Sequence, residues 1–158
     1  MKKKEIVRII FGIGSNLGDR YKNIENSIKY LTQSFFLENI KISKFLKNKA
    51  MLPSNAPKSW NKEFINIAIS GDINFCEFDA IKILATIKEI EKKIGRKDRK
   101  RWAPREIDID ILMIGDKSIV INDLLIIPHQ GLLERDFFLK TVLEIEPELL
   151  KIHLNKSV

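Results

Sequence analysis

The sequence predicts an α+β fold in which a mostly antiparallel sheet carries packed helices, and its periodicities support this prediction. Four segments are rich in isoleucine, and three of them alternate apolar with polar residues, as strands with one buried face do. Two further segments repeat apolar residues at intervals of three and four, as amphipathic helices do. Their order along the chain is β-α-β-β-α-β, which is the ferredoxin-like arrangement.

The first half of the chain is predicted to contain a strand, a capped helix, a second strand and a long loop. The first strand covers residues 5–14, and Asp19 is placed to cap the helix that follows. The apolar stripe of that helix consists of Tyr21, Ile24, Ile28 and Leu31. A second strand is expected over residues 38–48, and the loop over residues 49–63 is long enough to suggest a function.

The second half continues with a strand over residues 64–72 and a helix from Ala80, with Asp79 as its cap and Gly95 as its end. The apolar stripe of this helix consists of Ile83, Leu84, Ile87, Ile90 and Ile94. A fourth strand follows, and the tail adds a short hairpin and one or two short helices. Because no linker or repeat interrupts the pattern, we expect one domain over residues 1–158.

The composition narrows the class of protein. Hydrophobic residues make up 44% of the chain and charged residues 31%, which is typical of a globular domain. No apolar run is long enough to span a bilayer, no signal pattern is present, and Cys76 is the single cysteine, so we expect a cytoplasmic protein. The net charge of +7 suits nucleic acid, an anionic membrane or a phosphorylated small molecule.

Two aspartates follow the most basic segment of the chain. Asp108 and Asp110 share one face of the fourth strand, directly after the loop "GRKDRKRWAPR" at residues 95–105. A carboxylate pair can hold Mg²⁺, which completes its shell with water and phosphate oxygens, and arginine forks can bind the remaining phosphate oxygens. The same residues could instead form a structural cluster of salt bridges, and composition alone favours neither interpretation.

Other candidate residues also allow two interpretations. Phe64 and Asn66 share the polar face of the third strand, as ordinary surface residues or as a stacking ring and a hydrogen-bonding amide for a flat heterocycle. His129 can cap a turn or donate to a phosphate, and Trp102 lies in a charged loop where little else would bury it.

Three glycines near the N-terminus resemble a dinucleotide-binding loop only superficially. Gly12, Gly14 and Gly18 follow a strand, but Leu17 stands where the third glycine of that motif belongs. The β-α-β-β order also lacks the parallel neighbour that such a site requires. These glycines therefore predict a turn that leads into the capped helix.

Two functions of other classes fit parts of the pattern. A ferredoxin-like RNA-binding module would suit the fold and the charge, but no strand carries its aromatic motif, and paired carboxylates would repel the RNA backbone. A metal-dependent phosphohydrolase would keep the carboxylates without needing Phe64 and Asn66. We expect neither nucleic acid nor a membrane as a partner.

Four segments resemble one known family in the same order. "RWAPREIDIDIL", Arg101 to Leu112, closely resembles the signature of the 6-hydroxymethyl-7,8-dihydropterin pyrophosphokinases of folate biosynthesis. "GSNLGDR", "APKSWNKEFIN" and the stretch from "IPH" to "LEIEPEL" also resemble that family, so the likeness covers nearly the whole chain. It implies a ferredoxin-like α+β core and transfer of the pyrophosphoryl group of ATP to the pterin hydroxymethyl oxygen, which leaves AMP.

The resemblance also implies roles for individual residues. Two Mg²⁺ ions would be held by Asp108 and Asp110. A loop that closes over the site would carry Trp102 and the catalytic arginines, which are Arg96, Arg101 and Arg105. ATP would lie near Glu91, Arg101, Ile111, His129 and Arg135. The pterin would contact Trp102, stack between Phe64 and Phe137, and have its edge read by Asn66.

Some positions depart from the family pattern. Phe64 stands where the family often has tyrosine, which keeps the stacking ring and removes a hydroxyl. "KNKAM", Lys47 to Met51, replaces a proline-containing stretch whose backbone usually contacts the pterin, and Gln130 and Gly131 also differ. The role of Arg99 stays open. The resemblance allows a further partner, the next folate enzyme, on the same chain or on a separate one.

Overall fold

The computed structural model describes residues 3–156, and within them it shows an antiparallel sheet, a separate hairpin and four helices. The sheet strands are β1 (Ile6–Ser15), β2 (Glu38–Ile42), β3 (Leu46–Asn48), β4 (Phe64–Asn74) and β5 (Asp108–Ile114). The hairpin consists of β6 (Ile119–Ile121) and β7 (Leu125–Ile127). The helices are α1 (Arg20–Phe35), α2 (Ala80–Ile94), α3 (Asp136–Ile145) and α4 (Pro147–Lys156). The predicted α+β class and the C-terminal hairpin and helices are confirmed.

The sheet has the order β2-β4-β1-β5, and β3 pairs with β4 beyond the end of β2. The single second strand predicted over residues 38–48 is therefore wrong in detail, because it divides into two short strands on the same edge of β4. Between them the hydroxyl of Ser43 accepts from the backbone N–H of Ala68 at 2.9 Å, so a side chain replaces a ladder partner. Ile42 of β2 pairs with Ile69 of β4, but Leu46 of β3 pairs with Asn66, so the register along β4 shifts by one residue across this break.

Both long helices begin at the predicted caps. The carboxylate of Asp19 accepts from the backbone N–H of Lys22 at 3.2 Å, and that of Asp79 accepts from Lys82 at 2.9 Å. Helix α2 ends at Gly95, whose φ of 121° leaves the helical region. Within residues 3–156, no helix is long and apolar enough to cross a bilayer.

Alternate residues of β1 face two different layers of helices. Ile9, Phe11 and Ile13 are buried in the core that α1 and α2 cover, whereas Ile10 is buried beneath α3 and α4 on the opposite face. Burial of each such side chain contributes about 1.5–3 kcal/mol. Helices α1 and α2 therefore fix the position of the sheet, and part of the opposite face stays open beside α3.

The prediction of a glycine turn is wrong for Gly12 and Gly14, which lie inside β1, and only Gly18, with a φ of 75°, lies in the turn. A β-carbon on Gly12 would stand 2.9 Å from the ring of Phe138, and one on Gly14 would collide with the amide oxygen of Asn66. These two glycines are therefore required for close approach of neighbouring side chains.

Candidate active site

The open half of the sheet forms the floor of the site. Gly14 pairs with Asp108 on one side and with Asn66 on the other, and Gly12 pairs with Asp110. The carboxylates on β5 and the amide on β4 are therefore separated by one strand without side chains on this face. Two strand spacings set them about 10 Å apart across the floor.

A cavity of about 270 Å³ stands on this floor and brings together ten of the residues predicted from the sequence. They are Phe64, Asn66, Arg101, Trp102, Arg105, Asp108, Asp110, His129, Arg135 and Phe137. Asn48 and Met51, from the stretch that departs from the family pattern, also line the cavity, as do four residues that were not predicted for the site, Gly12, Gly14, Ala103 and Phe138. The charged residues thus meet an aromatic and amide surface in one space.

A second cavity, of about 360 Å³, lies beside the first. Ile111 lines it together with apolar residues of α2 and of the hairpin, among them Leu84 and Leu125. Asp110 and His129 line both cavities, so they mark the place where the two spaces meet. A ligand with an apolar part in the second cavity can therefore extend polar groups toward the carboxylates.

The two arginines that contact Asp108 do not fully neutralise the charge of the carboxylate pair. Asp108 contacts Arg96 Nη1 at 3.1 Å and Arg105 Nη1 at 3.5 Å, as the alternative of a salt-bridge cluster requires. Burial and the neighbouring Asp110 nevertheless outweigh these arginines and raise the pKa of Asp108 from 3.8 to about 6. The two arginines therefore do not fully offset the burial of Asp108 and the charge of Asp110 beside it, and a further cation would be attracted to Asp108.

The donor set fits a particular kind of metal ion. Among residues 3–156, no group of three or more histidine, cysteine, aspartate or glutamate side chains is arranged to hold a metal. Zinc and calcium sites made wholly by protein need more ligands than the two carboxylates here. Magnesium accepts one or two carboxylates and takes its other ligands from water and phosphate, so Asp108 and Asp110 fit it.

His129 presents an N–H toward the carboxylate pair. Its Nδ1 accepts from the backbone N–H of Gly131 at 2.9 Å, so in the neutral imidazole the proton is on Nε2. Nε2 lies 3.7 Å from Oδ1 of Asp110. The backbone contact therefore orients the ring so that Nε2–H can donate to an anionic group that arrives beside Asp110.

Glu91 and Arg96, two predicted site residues, line neither cavity. Glu91 is 3% exposed, and its carboxylate accepts from the backbone N–H of Ile109 at 2.9 Å and from Arg96 Nη1 at 2.7 Å. The same Arg96 atom bonds Asp108. Burial opposes the charge of Arg96, but Glu91 and Asp108 raise its pKa overall. Both residues therefore hold the start of the basic loop to β5 in this arrangement.

The basic loop, which in the structure extends from residue 95 to residue 107 before β5, makes two further contacts within itself and one to the residue that follows β1. Arg99 forms two hydrogen bonds, of 2.6 and 2.7 Å, to the carboxylate of Glu106 and so lowers the pKa of Glu106 to about 2. The Arg101 guanidinium lies 4.9 Å from the centre of the Trp102 ring. Buried Asn16 accepts from the backbone N–H of Arg105 at 2.8 Å. Arg99 therefore bonds within the loop, and Asn16, which was not predicted as a site residue, anchors the end of the loop.

Comparisons with known proteins are consistent with this geometry. Residues 10–147 match the family model described as 7,8-dihydro-6-hydroxymethylpterin-pyrophosphokinase. The chain is 39% identical over 142 residues to the 2-amino-4-hydroxy-6-hydroxymethyldihydropteridine pyrophosphokinase of Aquifex aeolicus, an alignment that covers 90% of this chain and 82% of that protein. It is 35% identical over 140 residues to the folate synthesis bifunctional protein of Chlamydia muridarum, covering 88% of this chain and 30% of the relative.

The fold also matches solved structures. The structure of Plasmodium falciparum HPPK-DHPS with pteroate aligns with a TM-score of 0.64 at 15% identity, and the alignment covers all of this chain and 43% of that one. At this identity the match shows the fold alone. In length, this chain spans less than half of the Plasmodium chain and about a third of the bifunctional Chlamydia relative.

Proposed function

Since this chain belongs to the 7,8-dihydro-6-hydroxymethylpterin-pyrophosphokinase family, and is a pyrophosphokinase of folate synthesis, we propose a mechanism from its site residues. The reaction transfers the pyrophosphoryl group of ATP to the hydroxymethyl oxygen of 6-hydroxymethyl-7,8-dihydropterin, and it yields AMP and the pterin diphosphate. One observation carries the mechanism: the carboxylates with their arginines share a single cavity with the rings of Phe64 and Phe137 and the amide of Asn66.

The pterin occupies the end of the first cavity that Phe64 and Phe137 line. Their rings offer faces for a flat heterocycle, and Asn66 offers an amide on the floor between them and the carboxylates. Trp102, which lines the same cavity from the basic loop, covers the substrate. This arrangement directs the hydroxymethyl group toward Asp108 and Asp110.

ATP occupies the second cavity and reaches the first at Asp110 and His129. Ile111 and its apolar neighbours contact the adenine, and the polyphosphate passes between the two cavities. Of the residues that the sequence predicts near ATP, Ile111 and His129 line this cavity and can contact the nucleotide directly. Glu91 acts through Arg96 instead of touching the nucleotide, because its side chain is buried and lines neither cavity.

The carboxylate pair is the magnesium site of this mechanism. Asp108 and Asp110 would hold Mg²⁺, two ions as the family resemblance implies, and the bound metal would supply neutralisation of the phosphate charge during transfer. The arginines contact the phosphate oxygens that remain, with Arg101 and Arg105 on the basic loop and Arg135 before α3. His129 donates Nε2–H to a phosphate oxygen.

The basic loop excludes water from the reacting phosphates. Residues 96–101 of the basic loop are all charged, so bound phosphates rather than core packing hold this part closed. Closure brings Arg101 and Trp102 over the substrates, while Arg96 holds the start of the loop to Glu91 and Asp108, and the closed loop suppresses hydrolysis of ATP. Positioning and charge neutralisation supply most of the rate enhancement expected of phosphoryl-type transfer.

Analysis of the nucleotide products tests this function. The protein is incubated with Mg-ATP, with and without 6-hydroxymethyl-7,8-dihydropterin, and nucleotides are separated by chromatography. We expect pterin-dependent AMP with negligible ADP, and Asp108→Asn as the control should give neither. Pterin-dependent ADP would indicate an ordinary kinase, and pterin-independent phosphate would indicate a hydrolase.

The organisation of the pathway around this chain also stays a prediction. The bifunctional relatives of Chlamydia and the HPPK-DHPS structure join a matching region to further sequence. We infer that the product passes to a second folate enzyme, on the same or on a separate chain. A single domain and a cytoplasmic location, both expected from the sequence, remain predictions as well.

A further inference from the structure

We propose that Asn48 fixes the orientation of the Asn66 amide, so that the Asn66 oxygen and not its nitrogen is directed at the pterin. Asn48 is then a positioning residue that selects a hydrogen-bond donor on the edge of the heterocycle. This inference rests on the proposed function, in which Asn66 contacts the pterin, and it assigns a role to a residue of the stretch that departs from the family pattern.

The two asparagines are joined across neighbouring strands. Asn48 is the last residue of β3 and pairs with Phe64 of β4, and Leu46 pairs with Asn66. The side-chain Nδ2 of Asn66 donates to Oδ1 of Asn48. Nδ2 of Asn48 in turn donates to the backbone carbonyl oxygen of Lys49 at 3.0 Å. The amides therefore form a chain of donors that begins at Asn66 and ends at a backbone carbonyl.

These hydrogen bonds can form together in only one orientation of the two amide groups. A backbone carbonyl can only accept, so rotating the Asn48 amide by half a turn would place its oxygen against the oxygen of Lys49. With Asn48 held, rotating Asn66 would place two amide oxygens against each other. Because Asn66 is 7% exposed, water can compensate little for such a mismatch. The carbonyl of Lys49 thereby determines which atom of Asn66 faces the cavity.

The remaining atom, Oδ1 of Asn66, lies above Gly14. It is the atom that a β-carbon on Gly14 would meet first, and the ring of Phe64 stands beside the same place. Among the described residues, no hydrogen bond donated to this oxygen is found. An acceptor beside a stacking ring selects a heterocycle that offers a ring N–H or an amino group there, and it disfavours one that offers a carbonyl.

The test separates orientation from mere folding. Asn48→Ala removes the acceptor, so we expect KM for the pterin to rise about fivefold or more, with KM for ATP changed less than twofold. Asn48→Asp keeps an acceptor toward Asn66 and should stay closer to the wild type. Asn39→Ala is the matched control, because Asn39 of β2 also bonds a β4 side chain, Asp72, away from the cavity.

A double variant decides whether Asn48 acts through Asn66. We expect Asn66→Ala to raise KM for the pterin, and Asn48→Ala to add nothing in that background. Additive effects, or an unchanged KM in Asn48→Ala alone, would overturn the inference and leave the pterin site standing. An unchanged KM in Asn66→Ala would refute the proposed pterin site itself.

Discussion

Asp108→Asn should abolish turnover and yet stabilise the protein in the absence of metal. The reason is that burial and the charge of Asp110 outweigh the attraction of Arg105 and Arg96, so ionised Asp108 is unfavourable in the folded state. An amide has nearly the same shape and no charge. The substitution therefore removes a proposed metal ligand and an electrostatic penalty in one step.

The size of the penalty follows from the pKa. Between pH 3.8 and about 6 the folded protein binds more protons at Asp108 than the unfolded chain does, so the free energy of unfolding falls as the pH rises through this window. At 1.36 kcal/mol per pKa unit, the rise from 3.8 to about 6 corresponds to about 3 kcal/mol. For a domain of this size, each recovered kcal/mol raises Tm by about 2–4 °C.

Thermal unfolding in a chelator checks this expectation. We expect Asp108→Asn to exceed the wild type in Tm by several degrees at pH 8 and by little at pH 4. Asp98→Asn, a substitution of an exposed aspartate in the basic loop, should show no such pH-dependent difference. Adding Mg-ATP should stabilise the wild type and not Asp108→Asn. A variant no more stable than the wild type at pH 8, or equally stabilised at both pH values, would refute the reasoning.

Three further predictions concern the cavity and its loop. Gly14→Ala should displace the amide of Asn66 and raise the Kd of the pterin about tenfold or more, measured by calorimetry, with nucleotide binding retained. Glu106→Gln should make the basic loop more sensitive to protease at pH 7, because the lowered pKa of Glu106 keeps its pair with Arg99 intact in the wild type until the pH falls from 4.5 toward 2. In a variant with Trp102 as its only tryptophan, a non-hydrolysable ATP analogue with Mg²⁺ and pterin should change the emission; unchanged emission would contradict loop closure.

The features predicted correctly from the sequence are those that depend on neighbours in the chain. The alternation around Asp108 and Asp110 fixes their common face whatever the strand pairs with. The caps at Asp19 and Asp79 are equally local, because each carboxylate bonds a backbone N–H three residues away. A strand period and a capping residue need no knowledge of the rest of the fold.

The features missed depend on strand register and on contacts between distant segments. Glycine favours turns in general, and only the pairing of Gly14 with Asn66 explains why a strand needs glycine there. Asn48 gains its role because the break at Ser43 shifts β3 by one residue along β4, which local pattern does not reveal. The buried hydrogen bond from the backbone N–H of Ile109 to the carboxylate of Glu91 likewise joins β5 to α2. The sequence shows that β5 follows α2, but it does not show that these two residues are in contact.

Two groups of the site lack full electrostatic or hydrogen-bond partners in the free protein, and this favours substrate binding. Asp108 is ionised only at a cost, and Oδ1 of Asn66 accepts no hydrogen bond from the described protein groups. A substrate complex that brings cations and N–H donors relieves both deficits at once, so part of the binding free energy comes from groups left poorly satisfied beforehand. Full pairing of Asp108 by the nearby arginines would stabilise the free protein and weaken the binding of the proposed cation. The raised pKa of Asp108, despite two arginines in contact, is therefore consistent with the proposal that this carboxylate binds a cation.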